Sequence, residues 1–564
     1  MDWNYDTEPQ PGLGDRRVYW PRGKTLGGSS SINAMVWVRG FAADYDHWAA
    51  VAGSGWGWES AVEYFRRIET TEDAAGDHQG RSGPMSVSQL RDPNPLTDAF
   101  LQACTEVGLG RTAPSEINGP SPEGVAQAPV TQRRGRRCST ADAYLKLARR
   151  RPNLTLLTRT LTTRILFEGT RAVGVEYRHR GAMRQARADT EVGLGRTAPS
   201  EINGPSPEGV AQTPVTQRRG RRCSTADAYL KPARRRPNLT VLTGALTTRV
   251  LFQGTRAVGV EYRHRGAMRQ ARADAEVVLS AGAINTPALL MCSGIGPADH
   301  LRSLAIPVLA DVPEVGRNLA DHLVLPIVVG VDSSQTLYDA ETRRQLLRYL
   351  VRRRGMLTSN IAEAFGFVRS NTSLELPDIE LLFVPGPFVD EGLGKPEAPG
   401  ITIAAILLQP HSTGSITLRS SDPTQAPRID PRYLSDEAGH DRAAAVAALQ
   451  LCERILQAPA LAGHVTGPMQ PPGLTGSPRI AAVIERHAQT LYHPTSTCRM
   501  GSDPDSVVYP DLRVRGVDQL RVADASIMPR IIRGHTNAPA ILIGERAADL
   551  ISNRASQRAS SESR

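Results

Sequence analysis

Two nearly identical copies of one segment lie back to back in this chain and limit the folds that it can adopt. The first copy covers residues 105–189 and the second covers residues 190–274, and both begin TEVGLGRTAPSEINGPSPEGVAQ. The copies match without a gap, so that Cys138 corresponds to Cys223. Solenoid units are shorter, more diverged and more numerous. We interpret the repeat as a recent tandem duplication or an error in the gene model, and we expect the chemistry to lie in the single-copy flanks.

Length and charge set broad limits on function. A chain of 564 residues is long enough for two or more domains with their own cores. The net charge of +10 comes mostly from arginine, including an RRGRR run that the duplication counts twice. No nucleic-acid motif accompanies these arginines, although such runs can contact phosphates. We therefore predict no nucleic-acid partner.

Cysteine spacing and hydropathy indicate the compartment. The six cysteines form no CxxC pair and no Cys/His cluster with zinc-ligand spacing, so no metal site is predicted. No apolar run reaches the roughly 18 residues typical of a transmembrane helix. The first residues, MDWNYDTEPQPG, lack the pattern of a signal peptide. A cytoplasmic location is expected, with peripheral membrane attachment as the alternative; oligomeric state is left open.

The hydrophobic pattern alternates between helical and strand-like segments. Each copy contains a helix-like stretch followed by Val- and Thr-rich alternation typical of strands. Helices are predicted over residues 60–68, 141–150, 226–235, 443–456 and 540–551, and strands over residues 401–408 and 415–418.

Three single-copy motifs carry the functional signal. The first is PRGKTLGGSSSINAMVWVRG at residues 21–40, a glycine turn whose main-chain N–H groups can approach a ligand closely. The second is EVVLSAGAINTPALLMCSGIGP at residues 276–297, where a strand ends in small residues before a helix, as suits a nucleotide. The third is YHPTSTCRMGSDP at residues 492–504, followed by LRVADASIMPRIIRGHTNAPAIL.

Together these motifs, with a VGRNLADH turn at residues 315–322, resemble the glucose–methanol–choline family of flavin oxidoreductases. The resemblance covers nearly the whole chain apart from the extra repeat. It implies an α/β fold with a Rossmann-like FAD-binding domain built from discontinuous segments and a substrate domain with a mainly antiparallel sheet. The expected division is an FAD domain over residues 1–322, a substrate domain over 323–486, a returning segment over 487–553 and a disordered tail over 554–564.

The chain departs from the family pattern in two ways. It contains no GxGxxG turn for the FAD pyrophosphate; the GSGWG at Gly53 and the GLGRT at Gly108 lack the third glycine. We therefore expect the first βαβ unit and its acidic ribose-binding residue to be missing. The second departure is the repeat. Pro232 of the second copy matches the family better than Leu147 of the first, so we take the second copy as native-like.

The resemblance assigns catalytic roles in the third motif. His493 matches the active-site histidine that takes the hydroxyl proton while the alcohol carbon gives hydride to flavin N5. Asn537 matches the position that holds the alcohol oxygen, and it is also expected to contact the cofactor. His535 is a lesser candidate, His322 is expected to be structural, and a histidine before proline can also be a plain loop residue.

The resemblance also assigns cofactor contacts. Residues expected near the flavin and pyrophosphate are Gly27, Gly28, Ser29 and Asn33; those near the adenosine half are Ser280, Ala281, Gly282 and the backbone of Val250. Asp524 is expected to bind sugar or ribityl hydroxyls, with a helix cap as the alternative. Ile32 stands where some relatives carry a flavin-linking histidine, so FAD is expected to be non-covalent.

The substrate is less well defined by sequence. Glu363 matches a glutamate that choline-acting relatives place near the substrate cation, and Phe365 could add a cation–π contact. The same pattern occurs in enzymes of aliphatic alcohols, and a solvent-facing strand charge is the plain alternative. We expect oxidation of a primary alcohol with an unknown electron acceptor. The alternative is an inactive truncated and duplicated remnant that does not hold FAD.

Overall fold

The chain folds into a mixed arrangement of helices and sheets. A computed structural model describes residues 2–71, 79–90, 92–109, 224–230, 233, 239–332, 336–352 and 354–562, and within residues 110–223 only the strands named below. The described α-helices are Ala42–Ala52, Trp58–Ile68, Pro95–Glu106, Gly282–Cys292, Ala298–Ser303, Arg343–Arg352, His440–Gln457, Pro459–Ala462, Gly476–Ala482 and Asn537–Glu562.

Three predicted helices are present with longer bounds. They are Trp58–Ile68, His440–Gln457 and Asn537–Glu562, the last of which continues through the residues expected as a tail. The helix predicted over residues 226–235 is described as a π-helical turn, Ala226–Leu230. The one predicted over residues 141–150 lies outside the described residues. None of the described helices is long and apolar enough to cross a membrane.

A large antiparallel sheet forms one wall of the molecule, as the sequence predicts. Its strands, in spatial order, are Gly209–Gln212, Ala364–Val368, Ile379–Val384, Gly400–Leu407, Leu323–Val331 and Val465–Gln470, with Gln489–Thr490 beside Leu323–Val331. The strands Leu323–Val331 and Gly400–Leu407 are buried at every position. Helix His440–Gln457 packs against the sheet, and residues of both strands, such as Val324 and Ala404, line a cavity.

A parallel pair of strands organises the opposite wall. Val277–Leu279 lies beside Leu520–Val522 in parallel register. Helix Gly282–Cys292 begins three residues after the first strand, and a short 3₁₀ helix, Ala525–Ile527, follows the second. Because parallel strands end at the same edge, the two following turns are brought together there.

The repeat builds the same three-stranded meander twice. The first copy forms Thr160–Glu168, Arg171–His179 and Ala182–Arg187, and the second forms Ala245–Gln253, Arg256–His264 and Ala267–Ala271. The two meanders lie in close contact, and their backbones are paired by single parallel bridges, Leu161 with Ala245 and Arg178 with His264. The strands Leu154–Leu157 and Leu239–Leu242 form a further parallel pair between the copies.

Elsewhere the two copies pair with the same residues. Ala126 of the first copy and Ala211 of the second both lie opposite Phe365. Val130 and Val215 both lie opposite Ser88. The other edges of these partner strands are already occupied, by Ile379–Val384 and Glu69–Thr71. A strand edge accommodates one partner, so the two copies compete for these two edges.

Ala126–Gln127 pairs with Ala364–Val368, and the remaining described strands form three two-stranded pairs and one five-stranded sheet. They are Tyr5–Asp6 with Tyr19–Trp20, Ile295–Gly296 with Ala310–Asp311, Ser415–Thr417 with Arg428–Asp430, and Glu69–Thr71, Met85–Gln89, Pro129–Val130, Val215–Arg218 and Arg221–Arg222 in one further sheet.

Candidate functional site

A cavity of about 1020 Å³ lies between the antiparallel sheet and the turns that follow the parallel strands. All three motifs contribute to its wall. The predicted residues that line it are Gly27, Gly28, Ser29, Asn33, Ser280, Ala281, Gly282, His493, Asp524 and Asn537. A volume at the upper end of the range for ligand pockets is large enough for a dinucleotide cofactor with a small substrate.

The first glycine turn is held in a conformation that requires glycine. Gly27 has φ +87° and precedes the 3₁₀ helix Gly28–Ser31. A Cβ on Gly27 would lie 2.5 Å from the Ser31 hydroxyl, whereas the Cβ direction of Gly28 meets open space. The Ser30 hydroxyl accepts from the N–H of Thr225 at 2.9 Å. The turn therefore presents bare backbone to the cavity, and the second copy of the repeat holds it in place.

The second turn is organised by Asp524. One carboxylate oxygen accepts from the Gly282 N–H at 2.9 Å and the Thr286 hydroxyl at 2.6 Å, and the other accepts from the Ser526 N–H at 2.8 Å. Asp524 thus caps the short helix Ala525–Ile527, which is the alternative role considered for it, and it also lines the cavity. Gly282 has φ +83° and open space where a Cβ would lie, so a ligand can approach this helix start closely.

His493 is oriented by the dipeptide Asp321–His322. The His493 main-chain N–H donates to the Asp321 carboxylate at 2.7 Å, and the Nδ1 atoms of His493 and His322 are 2.9 Å apart. Asp321 also accepts from the hydroxyls of Tyr433 and Thr490. Sequence reasoning noticed the VGRNLADH turn without finding this role, because the partners are far apart along the chain.

The hydrogen bonds of His322 assign the tautomer of His493. His322 Nε2 lies 3.1 Å from the carbonyl oxygen of Leu408, and a carbonyl can only accept. A neutral His322 therefore carries its proton on Nε2 and offers an Nδ1 lone pair. His493 Nδ1 must then carry the proton between the rings, which leaves His493 Nε2 as a proton acceptor.

Burial keeps both rings neutral. Desolvation, with positive charge on neighbouring groups, holds the pKa of His493 well below its ordinary value. Burial, followed by the charge of His535, lowers the pKa of His322 to about 3. Near neutral pH, His493 is thus unprotonated at Nε2, the state that a general base requires.

His535 and Glu380 form a second pair at the cavity. His535 lines the cavity, and its Nε2 lies 2.8 Å from a Glu380 carboxylate oxygen. Its ring centre is 5.0 Å from that of His493, at 80° between planes. Glu380 is fully buried on strand Ile379–Val384. It belongs to no motif, so only the fold could reveal it.

Asn537 begins the last helix with an unused donor. Its side-chain Nδ2 is buried and has no hydrogen-bond partner in the described part of the chain. A buried amide without a partner is costly, and a ligand oxygen would relieve that cost.

Three predicted contacts lie elsewhere. Glu363 does not line the cavity: its carboxylate accepts from the Asn94 N–H at 2.6 Å and the Thr97 hydroxyl at 2.8 Å, at the start of helix Pro95–Glu106. Phe365 is buried in an apolar cluster and packs edge-on against Phe367. The Val250 N–H donates to the Ser293 hydroxyl.

Comparison with known proteins places these features in a family. The family model for the N-terminal part of GMC oxidoreductases matches residues 11–194 and again residues 183–324, each stretch holding one copy of the repeat, and the C-terminal model matches residues 410–544. An uncharacterized GMC-type oxidoreductase from Mycobacterium bovis is 47% identical over 559 residues, covering 98% of this chain and 89% of the relative. An alcohol dehydrogenase (acceptor) from Pseudomonas putida is 36% identical over 561 residues, covering 98% and 85%. The crystal structure of pyridoxine 4-oxidase from Mesorbium loti matches with a TM-score of 0.73 at 28% identity, covering 97% of this chain and 88% of that one.

Proposed function

Because this chain belongs to the glucose–methanol–choline family of oxidoreductases and its cofactor is FAD, we propose that it oxidises a small primary alcohol to an aldehyde. The observation that carries the proposal is the Nε2 lone pair of His493 in a cavity that also contains the Asn537 Nδ2 donor, neither of which has a hydrogen-bond partner among the described residues. One group can take a hydroxyl proton and the other can hold the oxygen that loses it.

The residues around the cavity fit FAD. Gly28 and Gly282 leave open space where side chains would stand, at a turn and at a helix start that expose backbone N–H groups. FAD, when bound, supplies the hydride acceptor. We assign the first turn to the flavin and pyrophosphate and residues 280–282 to the adenosine half. Ile32 lies on the cavity wall and offers no atom for a covalent link.

His493 carries the proton transfer in this proposal. Its Nε2 accepts the hydroxyl proton, while its Nδ1–H stays bound to His322 and its main chain stays bound to Asp321. Asn537 donates to the oxygen, whose negative charge grows as the proton leaves. His535, oriented by Glu380, lies beside His493 and is the alternative base.

The cavity wall favours an uncharged aliphatic substrate. The antiparallel sheet contributes apolar side chains, namely Val324, Leu382, Val384 and Ala404. Glu363, the expected anchor for a quaternary ammonium group, is held at a helix start instead. The Pseudomonas putida relative is named alcohol dehydrogenase, which supports an alcohol as the substrate. We therefore place aliphatic primary alcohols ahead of choline.

The test replaces His493 with alanine in the flavin-loaded protein. Loss of a general base is expected to slow anaerobic flavin bleaching by alcohol by about a hundredfold or more. His411→Ala, an exposed histidine stacked on His440 outside the cavity, is the matched control and should leave the rate unchanged. His535→Ala completes the comparison.

Two results would change the proposed roles. An unchanged rate in His493→Ala with a collapse in His535→Ala would transfer the base role to His535. A protein that purifies folded but cannot be loaded with FAD would favour the alternative of a non-catalytic remnant.

A further inference from the structure

The helix Arg343–Arg352 presents its apolar residues to solvent. Its sequence is RRQLLRYLVR, and none of its residues is buried. The exposed fractions are 48% for Leu346, 63% for Leu347, 53% for Leu350 and 72% for Val351. A surface helix normally turns such residues inward, so this orientation is the reverse of the usual one. Clustered apolar exposure of this kind marks an interaction site.

The four apolar residues share one face. At about 100° per residue they lie within an arc of about 140°. Polar contacts outside this face attach the helix to the rest of the protein. Arg348 donates to Asp92 at 3.0 Å, and Asp92 also accepts from the Gly355 N–H at 2.6 Å. The protein thus anchors the helix by its polar side and leaves the apolar side free.

Arginine surrounds this face. Residues 339–354 contain six arginines and only the two carboxylates of Asp339 and Glu341. Arg348 is engaged with Asp92. The exposed guanidinium groups of Arg343, Arg344, Arg352 and Arg354 have no carboxylate partner among the described residues. Guanidinium groups bind phosphate well because their planar donors match its oxygens.

We propose that this helix docks the protein on an anionic lipid surface. An exposed apolar face flanked by basic residues on a helix of low overall hydrophobicity is the pattern of an interfacial helix, which lies in the membrane plane. The apolar side chains enter the headgroup boundary, and the arginines bind lipid phosphates. The positive charge decides between possible occupants, since a second copy of this chain would bring the same arginines against themselves.

The test measures binding of the full-length, flavin-loaded protein to vesicles by cosedimentation. One set of vesicles is phosphatidylcholine, and the other contains about 30% phosphatidylglycerol to supply negative charge. The protein is expected to bind the anionic vesicles at least about tenfold more tightly, and added salt should weaken that binding.

Matched variants separate this helix from general surface charge. Arg343→Gln with Arg344→Gln should weaken anionic binding about tenfold, and Leu347→Gln with Val351→Gln should do the same. The charge control is Arg302→Gln with Arg317→Gln, two exposed arginines elsewhere. The apolar control is Met268→Gln with Leu374→Gln, which are also exposed. Both controls should bind as the parent does.

Four results would overturn the proposal. They are no binding to either vesicle, equal binding to both, equal weakening by the control variants, and a dimer in sedimentation that the Leu347→Gln/Val351→Gln variant converts to monomer. The last result would assign the face to a second copy of the chain. All substituted residues are exposed, so unchanged melting temperatures will verify that each variant is folded.

Discussion

Deleting residues 105–189, the first copy of the repeat, is expected to leave a folded protein of nearly unchanged stability. The two copies share partners, since Ala126 and Ala211 both lie opposite Phe365. Removing one copy therefore leaves the other to occupy the shared edges. We expect that no strand edge of the single-copy fold loses its partner.

The expected change in the free energy of unfolding follows from the contacts that join the two copies. Among the described strands, the backbone pairings between the copies are two single bridges and the four-residue pair Leu154–Leu157 with Leu239–Leu242, and the two meanders also lie in close contact. Each backbone hydrogen bond contributes about 1 kcal/mol, while ordering each residue costs about 1 to 2 kcal/mol. These backbone terms nearly cancel, and the second meander keeps its own internal pairing, so we expect the free energy of unfolding to change by less than about 2 kcal/mol.

Deleting residues 190–274 instead gives a length-matched comparison. Gly244 of the second copy has φ +78°, and the first copy has Arg159 at the corresponding position. A non-glycine residue with positive φ costs about 1 kcal/mol or more. The chain that keeps the second copy should therefore be the more stable one. Gly244→Arg in that chain should reproduce most of the difference.

Thermal unfolding and denaturant titration of the three proteins would measure these differences. At about 2 to 4 °C per kcal/mol, the first deletion should move the melting temperature by only a few degrees. If that deletion removed more than about 5 kcal/mol, a large part of the stability of a typical domain, both copies would belong to the core. Greater stability of the chain that keeps the first copy would refute the preference for the second.

Two further predictions concern the site. His322 has a pKa of about 3 in the folded protein and about 6.5 when unfolded, so the unfolded state binds more protons and stability falls as pH drops from 6.5 toward 3. His322→Gln should remove up to about 1.4 kcal/mol per pH unit from that decline, and parallel pH profiles of unfolding free energy would contradict this. Asn537→Ala should lower kcat/KM for the alcohol by about ten- to a hundredfold through loss of a charge-assisted hydrogen bond. Steady-state kinetics equal to the parent's would remove Asn537 from the mechanism.

Local sequence signals were sufficient where chain neighbours determine structure. Helix His440–Gln457 was predicted to within three residues at its start, because its apolar spacing is set within the segment itself. The turn at residues 280–282 and Asp524 converge because the parallel strands that precede them end at one edge, which is a property of the topology. All three motifs therefore contribute residues to the wall of one cavity.

The sequence could not predict contacts between distant segments. Glu363 stabilises the start of a helix 266 residues away through Thr97, and His535 is paired with Glu380 155 residues away. In both cases the side chain alone suggests several roles, and the fold selects one. The outward apolar face of Arg343–Arg352 is a related case, since a helical pattern cannot say which face meets the protein.

The choice among three neighbouring histidines shows what geometry adds to a motif. His322 has its two ring nitrogens next to Leu408 and His493, and His535 has Nε2 next to Glu380. The Nδ1–H of His493 donates to Nδ1 of His322, and the main-chain N–H of His493 donates to Asp321. Its Nε2 is therefore an oriented lone pair at the cavity wall, and burial keeps it unprotonated. Motif matching also selects His493, but only the hydrogen bonds explain why this ring is suited to take a proton, and they make His322 the residue whose loss should disturb it.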